Sequence, residues 1–179
     1  MADPESVKRY DFKLRYRMWP RAFGDYEGER IAEIERSVVG TNTIEPKEYM
    51  DIRKFQLVLN NLYNADMFNA TRRLLWEIDG DVWAWLKLAF EMSASEQSGK
   101  VFEHMNLYAG EAAAELFDSP EAIQEFLDND ETYEKLLSGE RGDNLMNKYQ
   151  LLSMSDGFAD WLNLAVNSGK KIAKNVEAD

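Results

Sequence analysis

The chain has 179 residues, of which 45% are hydrophobic and 30% charged, and its formal net charge is −12. This size predicts one domain with a sizeable core and at most a small appendage. The absence of cysteine excludes disulfides, cysteine nucleophiles and an iron–sulfur cluster held by this chain alone. The acidic charge disfavours nucleic-acid binding. No apolar run is long enough for a membrane span and no signal-peptide core is present, so we expect no membrane contact and a cytoplasmic location.

The charge is distributed unevenly along the chain. Residues 1–40 contain eight basic and eight acidic residues, whereas residues 41–179 contain 13 basic and 25 acidic ones. The segment "KRYDFKLRYRMWPR", residues 8–21, carries six Lys or Arg residues against one Asp. An acidic chain therefore begins with a locally basic segment, which either is neutralised internally or binds a partner.

The first elements have the period of β-strands. Residues 9–18 alternate apolar with polar side chains, which predicts a strand with one buried face that ends at Pro20. A loop with two glycines follows, and "RIAEIERSVVG" alternates again, with Ala32, Ile34 and Val38 on one face. An isolated two-stranded hairpin is marginally stable in water. Its apolar face is therefore expected to pack on a helix layer or on another sheet.

Pairing of these two strands sets cations against carboxylates. Lys13, Arg15 and Arg17 on the first strand can lie opposite Glu33 and Glu35 on the second. Internal neutralisation of the basic face is the favoured interpretation. If the face instead serves a partner, its candidate docking surface consists of Arg15, Arg17, Trp19 and Arg21.

From residue 41 onward the apolar period becomes that of helices. Cap residues such as Asp81, Ser119 and Asp130 and stops at Gly80 and Gly139 delimit the segments. The predicted helices cover approximately residues 44–64, 69–80, 81–92, 96–117, 119–127, 130–139, 143–154 and 157–174. The fold class is therefore mainly α, with a helical domain of seven or eight helices (41–179) behind a small N-terminal β-hairpin (1–40).

Catalytic and metal-ligating patterns are lacking. His104 is the only histidine, whereas zinc and non-haem iron sites usually use two or more imidazoles or thiolates. The residue three positions before it is Val101, so the Glu-x-x-His pattern of di-iron bundles is missing. We expect His104 on a helix surface or in a groove, and predict no catalytic or metal-binding residue. Four tryptophans line either the core or a ligand pocket: Trp76, Trp83, Trp85 and Trp161.

Three longer stretches carry a family resemblance: "RYRMWPRAFGDYEGERIAEIERSVVGTNTI", "EYMDIRKFQLVLNNLYN" and "ELFDSPEAIQEFLDNDETYEKLLSGERGDNLMNKY". Together they resemble the C-terminal helical region of cobalamin-binding-type radical S-adenosylmethionine proteins. In that family a cobalamin-binding-like domain and an iron–sulfur barrel precede the helical region. The CxxxCxxC motif, the barrel and the cobalamin domain are missing from this sequence. The resemblance therefore implies no cofactor in this chain, and places the iron–sulfur cluster, S-adenosylmethionine and cobalamin in a larger parent.

The resemblance implies a non-catalytic accessory domain that caps or flanks a catalytic barrel and helps to shape substrate access. The chain is then either an excised C-terminal domain or a separate accessory subunit, and the strand at 9–18 lies just after the barrel. Its expected partner is a catalytic barrel domain or another protein. Two alternatives stay open, a free-standing helical adaptor that binds a protein and a small-molecule binding module with a Trp-rich pocket.

Overall fold

A computed structural model describes residues 3–95 and 99–176. Within these ranges the chain is mainly helical, with eight helices of seven or more residues, one shorter helix and an N-terminal antiparallel β-hairpin. This confirms the predicted fold class. The elements are α1 (Pro4–Arg9), β1 (Lys13–Tyr26), β2 (Glu29–Gly40), α2 (Pro46–Leu59), α3 (Asn69–Glu77), α4 (Val82–Ser95), α5 (Lys100–Ala114), α6 (Pro120–Asp128), α7 (Asp130–Leu137), α8 (Leu145–Met154) and α9 (Phe158–Val176). A π-helical turn, Asn60–Asn64, follows α2.

Side-chain caps start several helices where the sequence predicts them. The Ser119 hydroxyl accepts a hydrogen bond from the Ala122 amide at 3.3 Å, and the Asp81 carboxylate accepts one from the Ala84 amide at 3.0 Å. These bonds satisfy amides that the first helical turn leaves without a partner. The cap of α7 is Asn129 rather than the expected Asp130, which is the first helical residue.

The hairpin closes through a two-residue turn. Glu27 and Gly28 both adopt left-handed backbone conformations, with φ of 57° and 89°. This geometry matches the twist of the flanking strands. The Asp25 carboxylate accepts a hydrogen bond from the Gly28 amide at 2.9 Å. The turn thus sets the hairpin register by local chemistry.

The prediction that Pro20 ends the first strand is wrong. Strand β1 continues to Tyr26, but its register changes between Met18 and Phe23. Met18 lies opposite Ile34 and Phe23 opposite Ala32. Pro20 therefore stands in a bulge, where no ladder hydrogen bond needs its missing N–H.

The contacts of the chain group it into two compact units. The first comprises residues 3–52 and 110–145, so it combines the hairpin with α6 and α7. Its buried cluster consists of Ile123, Leu127, Tyr133 and Leu136, and against it pack hairpin side chains from Tyr16, Met18, Phe23 and Ala32. The hairpin thus finds its helix layer within its own chain. The boundary after residue 40 stays a prediction.

The second unit comprises residues 53–95, 99–109 and 146–176. Helix α9 packs against both α3 and α4. The largest fully buried side chains of this unit include Trp85, Trp161, Tyr108, Tyr149, Leu57 and Leu62. The apolar sequence of α4 is explained by its packing, since its residues Trp85, Leu86 and Ala89 are buried.

Over the described residues, none of the helices combines the length and apolarity that a membrane crossing requires.

Candidate docking surface on the hairpin

The bulge in β1 gathers the residues predicted to form a docking surface. Residues 19–22 stand opposite the single residue Glu33 of β2, because the partners of Met18 and Phe23 are only two positions apart. Trp19 lies in this bulge and is 52% exposed. A bulge bends a strand and redirects its side chains. Here it presents a large aromatic side chain to solvent.

Each of the three predicted docking arginines has an acidic partner within the same unit. Arg15 lies 3.2 Å from Asp118 through its Nε and carboxylate oxygen. Arg17 forms an ion pair with Glu35, its direct cross-strand neighbour. Arg17 also lies 3.9 Å from the Glu115 carboxylate. The cross-strand neutralisation expected from the sequence therefore holds for Arg17.

The remaining cross-strand pairings differ from the expectation. Arg15 lies opposite Ser37, and Lys13 opposite Gly40. Lys13 forms its ion pair with Asp11, at 2.6 Å. Register on β2, rather than the number of charges on each strand, decides which cation meets which carboxylate.

Arg21 fastens the bulge to the loop that follows α7. Its backbone amide donates a hydrogen bond to the Gly142 carbonyl at 3.0 Å, and its guanidinium pairs with the Asp143 carboxylate. A Cβ at Gly139 would lie 2.7 Å from the Arg21 Nη2, and one at Gly142 would lie 2.8 Å from a Leu136 methyl carbon. Gly139 thus leaves room for the Arg21 side chain of the hairpin, and Gly142 leaves room for Leu136 of α7. The sequence stretches around residues 21 and 139–143 belong to one structural feature.

The two outer edges of the hairpin differ in their hydrogen bonding. The amide and carbonyl of Tyr16 on β1 both bond with Phe117, at 2.9 and 2.7 Å. Within residues 3–95 and 99–176, the sheet has only the two strands, so no further strand lies along β2. Ile34 and Val38 on β2 are 41% and 37% exposed. An unpaired strand edge with exposed apolar side chains is a template for pairing with another chain.

The predicted apolar face of β2 is therefore only partly buried. Ala32 packs against the Ile123 cluster as expected. Ile34 and Val38, which share its face, extend past this cover. Trp19 and these two side chains are each exposed, and we call these three residues the hairpin surface.

The buried histidine of the second unit is a separate polar site. His104 is only 2% exposed, so the expectation of a surface position is wrong. Its Nδ1 accepts a hydrogen bond from the Trp161 indole at 3.3 Å, and its Nε2 lies 4.0 Å from Asp156. Burial lowers the pKa of His104 below its ordinary value, against the opposing effect of the nearby Asp156 and Glu103 carboxylates.

Lys100 lies at the edge of this site and forms an ion pair with the Asp156 carboxylate. Lys100 lies 2.8 Å from Asp156 and 3.1 Å from Glu103. Hydrogen bonding to Lys100 lowers the pKa of Asp156, and hydrogen bonds to Asp156 and Glu103 raise the pKa of Lys100. Among the described residues, no three His, Asp or Glu side chains are grouped so as to hold a metal ion. The site thus consists of a buried hydrogen bond from the Trp161 indole to the His104 imidazole.

The apolar period around His104 contained a signal for its burial. Val101, Met105 and Tyr108 are buried on the same helix, and positions three and four apart share a helix face. His104 falls within this stripe. The acidic partner Asp156 and the indole of Trp161 come from distant positions, which the helical period does not identify.

The four tryptophans do not share one environment. Trp85 and Trp161 are fully buried, whereas Trp76 and Trp83 are 52% and 54% exposed. The Trp85 indole donates to the Ala165 carbonyl and the Ser168 hydroxyl, at 3.1 and 2.9 Å. The indole N–H groups of the buried pair thus bond within the core, which gives the hypothesis of a Trp-rich pocket no support.

The comparisons with known proteins give no relative, since no family model, no curated protein and no solved structure matches the chain.

Proposed function

We propose that this chain is a non-catalytic accessory domain that binds the catalytic barrel of a radical S-adenosylmethionine enzyme through its N-terminal hairpin. The sequence resemblance supplies the class of partner. The carrying observation is the 52% exposure of Trp19, on a bulge that Arg21 fastens to Gly142 and Asp143. Exposed aromatic side chains on a fixed backbone are typical anchors of protein interfaces.

The internal pairing of the cations changes the chemistry of this proposal. Arg15, Arg17 and Arg21 are each bonded to an acid of the same unit. A partner would have to break these pairs to use the charges, and lost ion pairs oppose binding. The docking energy is therefore assigned to the apolar hairpin surface, while the arginines hold the hairpin in place.

A second candidate, the free-standing adaptor, is favoured by a different observation. The hairpin already packs on the cluster around Ile123 and Leu127, so its stability does not require a missing barrel. In this candidate the same hairpin surface binds a protein without a barrel. The two candidates therefore differ in the identity of the partner and not in the binding residues.

Site-specific photo-crosslinking in cells of the source organism distinguishes the candidates. A photoreactive amino acid replaces Trp19 in one variant and Leu151 in the control, because Leu151 is 66% exposed and lies in the second unit. The proposal expects a product specific to position 19 that contains a protein with the CxxxCxxC motif. A specific product with another protein favours the adaptor. Equal labelling from positions 19 and 151 contradicts both candidates.

In this proposal the partner, and not this chain, binds the cofactors. The iron–sulfur cluster, S-adenosylmethionine and cobalamin belong to the barrel protein and its companion domain, and this chain contributes protein contacts only. The cytoplasmic location expected from the sequence is part of the same proposal, and cell fractionation followed by immunoblotting tests it.

A further inference from the structure

We propose that the partner supplies an extended segment that pairs with the outer edge of β2 and adds a third strand to the hairpin. This inference rests on the proposed function, because it specifies how the hairpin binds its partner. It concerns the segment from Glu33 to Val38, which lies within β2.

The hydrogen-bond pattern shows which groups of β2 are available. Tyr16 lies opposite Arg36, and Tyr16 directs both its amide and its carbonyl to Phe117. Tyr16 and Arg36 therefore form a non-hydrogen-bonded pair of the antiparallel ladder. The amide and carbonyl of Arg36 point away from β1, and by alternation those of Ile34 and Val38 do the same.

The side chains along this edge define the chemistry of the incoming segment. Ile34, Arg36 and Val38 share one face of the sheet, and Glu33 and Glu35 lie on the other. Glu35 is paired with Arg17, whereas within the described ranges neither Glu33 nor Arg36 takes part in an ion pair. A complementary strand carries apolar residues opposite Ile34 and Val38, an acid opposite Arg36 and a base opposite Glu33.

A second copy of the chain does not meet this requirement. In an antiparallel sheet, residues that lie directly opposite each other point to the same face. When two copies of β2 pair around a two-fold axis, one central residue must therefore lie opposite its own copy. For centres from residue 32 to residue 36, the directly opposite pairs include Glu29–Glu35, Glu33–Glu33, Glu33–Glu35, Glu35–Glu35 and Arg36–Arg36, respectively. Like charges in these positions are destabilising. Centres at residues 37 and 38 avoid like charges but extend the ladder to Val39 and Gly40, which are both buried. Charge and burial together therefore favour a different protein as the partner.

A synthetic peptide tests the edge directly. The probe is an acetylated and amidated peptide with the core Val-Thr-Asp-Lys-Val-Lys, which in antiparallel register sets Asp opposite Arg36 and the final Lys opposite Glu33. The control peptide exchanges Asp with that final Lys. Fluorescence anisotropy of labelled peptides with the full chain is expected to show about tenfold weaker binding of the control, from the loss of attractive pairs and the gain of repulsive ones.

Two variants separate the charge effect from backbone pairing. Arg36→Glu is expected to weaken binding of the probe and to strengthen binding of a third peptide that carries Lys in place of the central Asp. A probe N-methylated at the residues whose amides face β2 keeps its side chains but loses the backbone bonds, and it is expected not to bind. Equal binding of the N-methylated and unmodified probes would overturn the proposal.

Amide exchange locates the contact without relying on any substitution. The amides of Ile34, Arg36 and Val38 are expected to exchange more slowly when the unmodified probe is bound, while the Tyr16 amide, bonded to Phe117, changes little. Unchanged exchange at all three positions in the presence of saturating probe would refute the edge pairing. If exchange at these positions slows as the chain concentration rises in the absence of the probe, the strand that pairs with β2 is a second copy of the chain and the proposal is refuted.

The outcomes also separate this inference from the proposed function. Crosslinking from position 19 to a barrel protein, with no peptide binding and no protection along β2 in that complex, refutes the edge pairing and leaves the accessory role intact. Peptide binding with protection along β2, together with no specific crosslink from position 19, supports the edge and contradicts the proposed function.

Discussion

The guanidinium carbon of Arg30 lies 4.2 Å from the centre of the Tyr133 ring. The same guanidinium donates hydrogen bonds to the carbonyls of Leu127 and Asp128, at 3.0 and 3.2 Å, and to the Asp130 carboxylate at 2.6 Å. The last carbonyls of a helix lack partners within it. One hairpin side chain therefore completes the end of α6, pairs with the start of α7 and covers a core tyrosine.

The first prediction concerns this contact. Arg30→Met keeps much of the side-chain length but removes the charge and every hydrogen bond that the guanidinium donates. The chain should therefore unfold at a lower urea concentration than the wild type. Arg30→Lys should lie between the two, because an ammonium retains the charge but not the planar fork. The control Arg15→Met removes one ion pair between exposed groups and one exposed hydrogen bond to the neighbouring Leu14 carbonyl, and it should shift the midpoint less. Equal midpoints for Arg30→Met and Arg15→Met would contradict the assignment.

The second prediction isolates the cross-strand ion pair of the hairpin. Arg17→Glu and Glu35→Arg should each destabilise the chain, and the double exchange should recover a coupling of about 0.2–1 kcal/mol, the usual range for such pairs. Urea unfolding of the four proteins gives this value. The matched cycle on Arg15 and Glu33 should give a coupling near zero, because Arg15 lies opposite Ser37 and pairs with Asp118. The same coupling in both cycles would indicate a general effect of net charge.

Local signals in the sequence were sufficient for much of the fold. Asp81 and Ser119 predict helix starts because a cap acts on amides two or three positions away. Alternation predicts the two strands because their period is set by the pleat. The prediction that Pro20 ends the strand failed because β1 accommodates this proline in a bulge. The bulge backbone bonds to Gly142, which is far along the chain and is not indicated by local sequence.

The candidate site was less accessible to sequence reasoning. The sequence favoured neutralisation of the basic face by Glu33 and Glu35, whereas Arg15 and Arg21 pair with Asp118 and Asp143. These two acids are more than 100 positions away in the chain. Local composition does not reveal such pairs. A two-stranded hairpin is expected to leave two open edges, but the sequence does not show that Phe117 bonds to the β1 edge and leaves the β2 edge open.

The third prediction tests the core of the second unit. Trp85→Ala should lower the free energy of unfolding by about 3–5 kcal/mol, the usual loss for a fully buried large aromatic residue. Trp83→Ala is the matched control, because Trp83 is 54% exposed and contacts Phe55 edge-on with ring centres 5.4 Å apart. Its loss should be about 1 kcal/mol or less. Similar losses from the two substitutions, measured in urea, would contradict the assigned burial.

The last prediction concerns the pH dependence of stability. Because burial lowers the pKa of His104 in the folded chain below its ordinary value of 6.5, the unfolded chain binds this proton more readily. The contribution of His104 to the free energy of unfolding should therefore be complete above pH 6.5 and should decrease as the pH falls from that value toward the folded pKa. The slope from one such group is at most about 1.4 kcal/mol per pH unit.

Protonation of His104 also acts directly on its contact with Trp161. The Nδ1 atom accepts the indole hydrogen bond, and a protonated imidazole has no acceptor there. His104→Gln retains a polar side chain without a titrating group, so its stability should change less than that of the wild type between about pH 7 and pH 5, in which range the unfolded histidine titrates. Asp156 remains ionised over this range, since hydrogen bonding to Lys100 lowers its pKa. Parallel stability curves for the two proteins in urea titrations would show that His104 is not the group responsible.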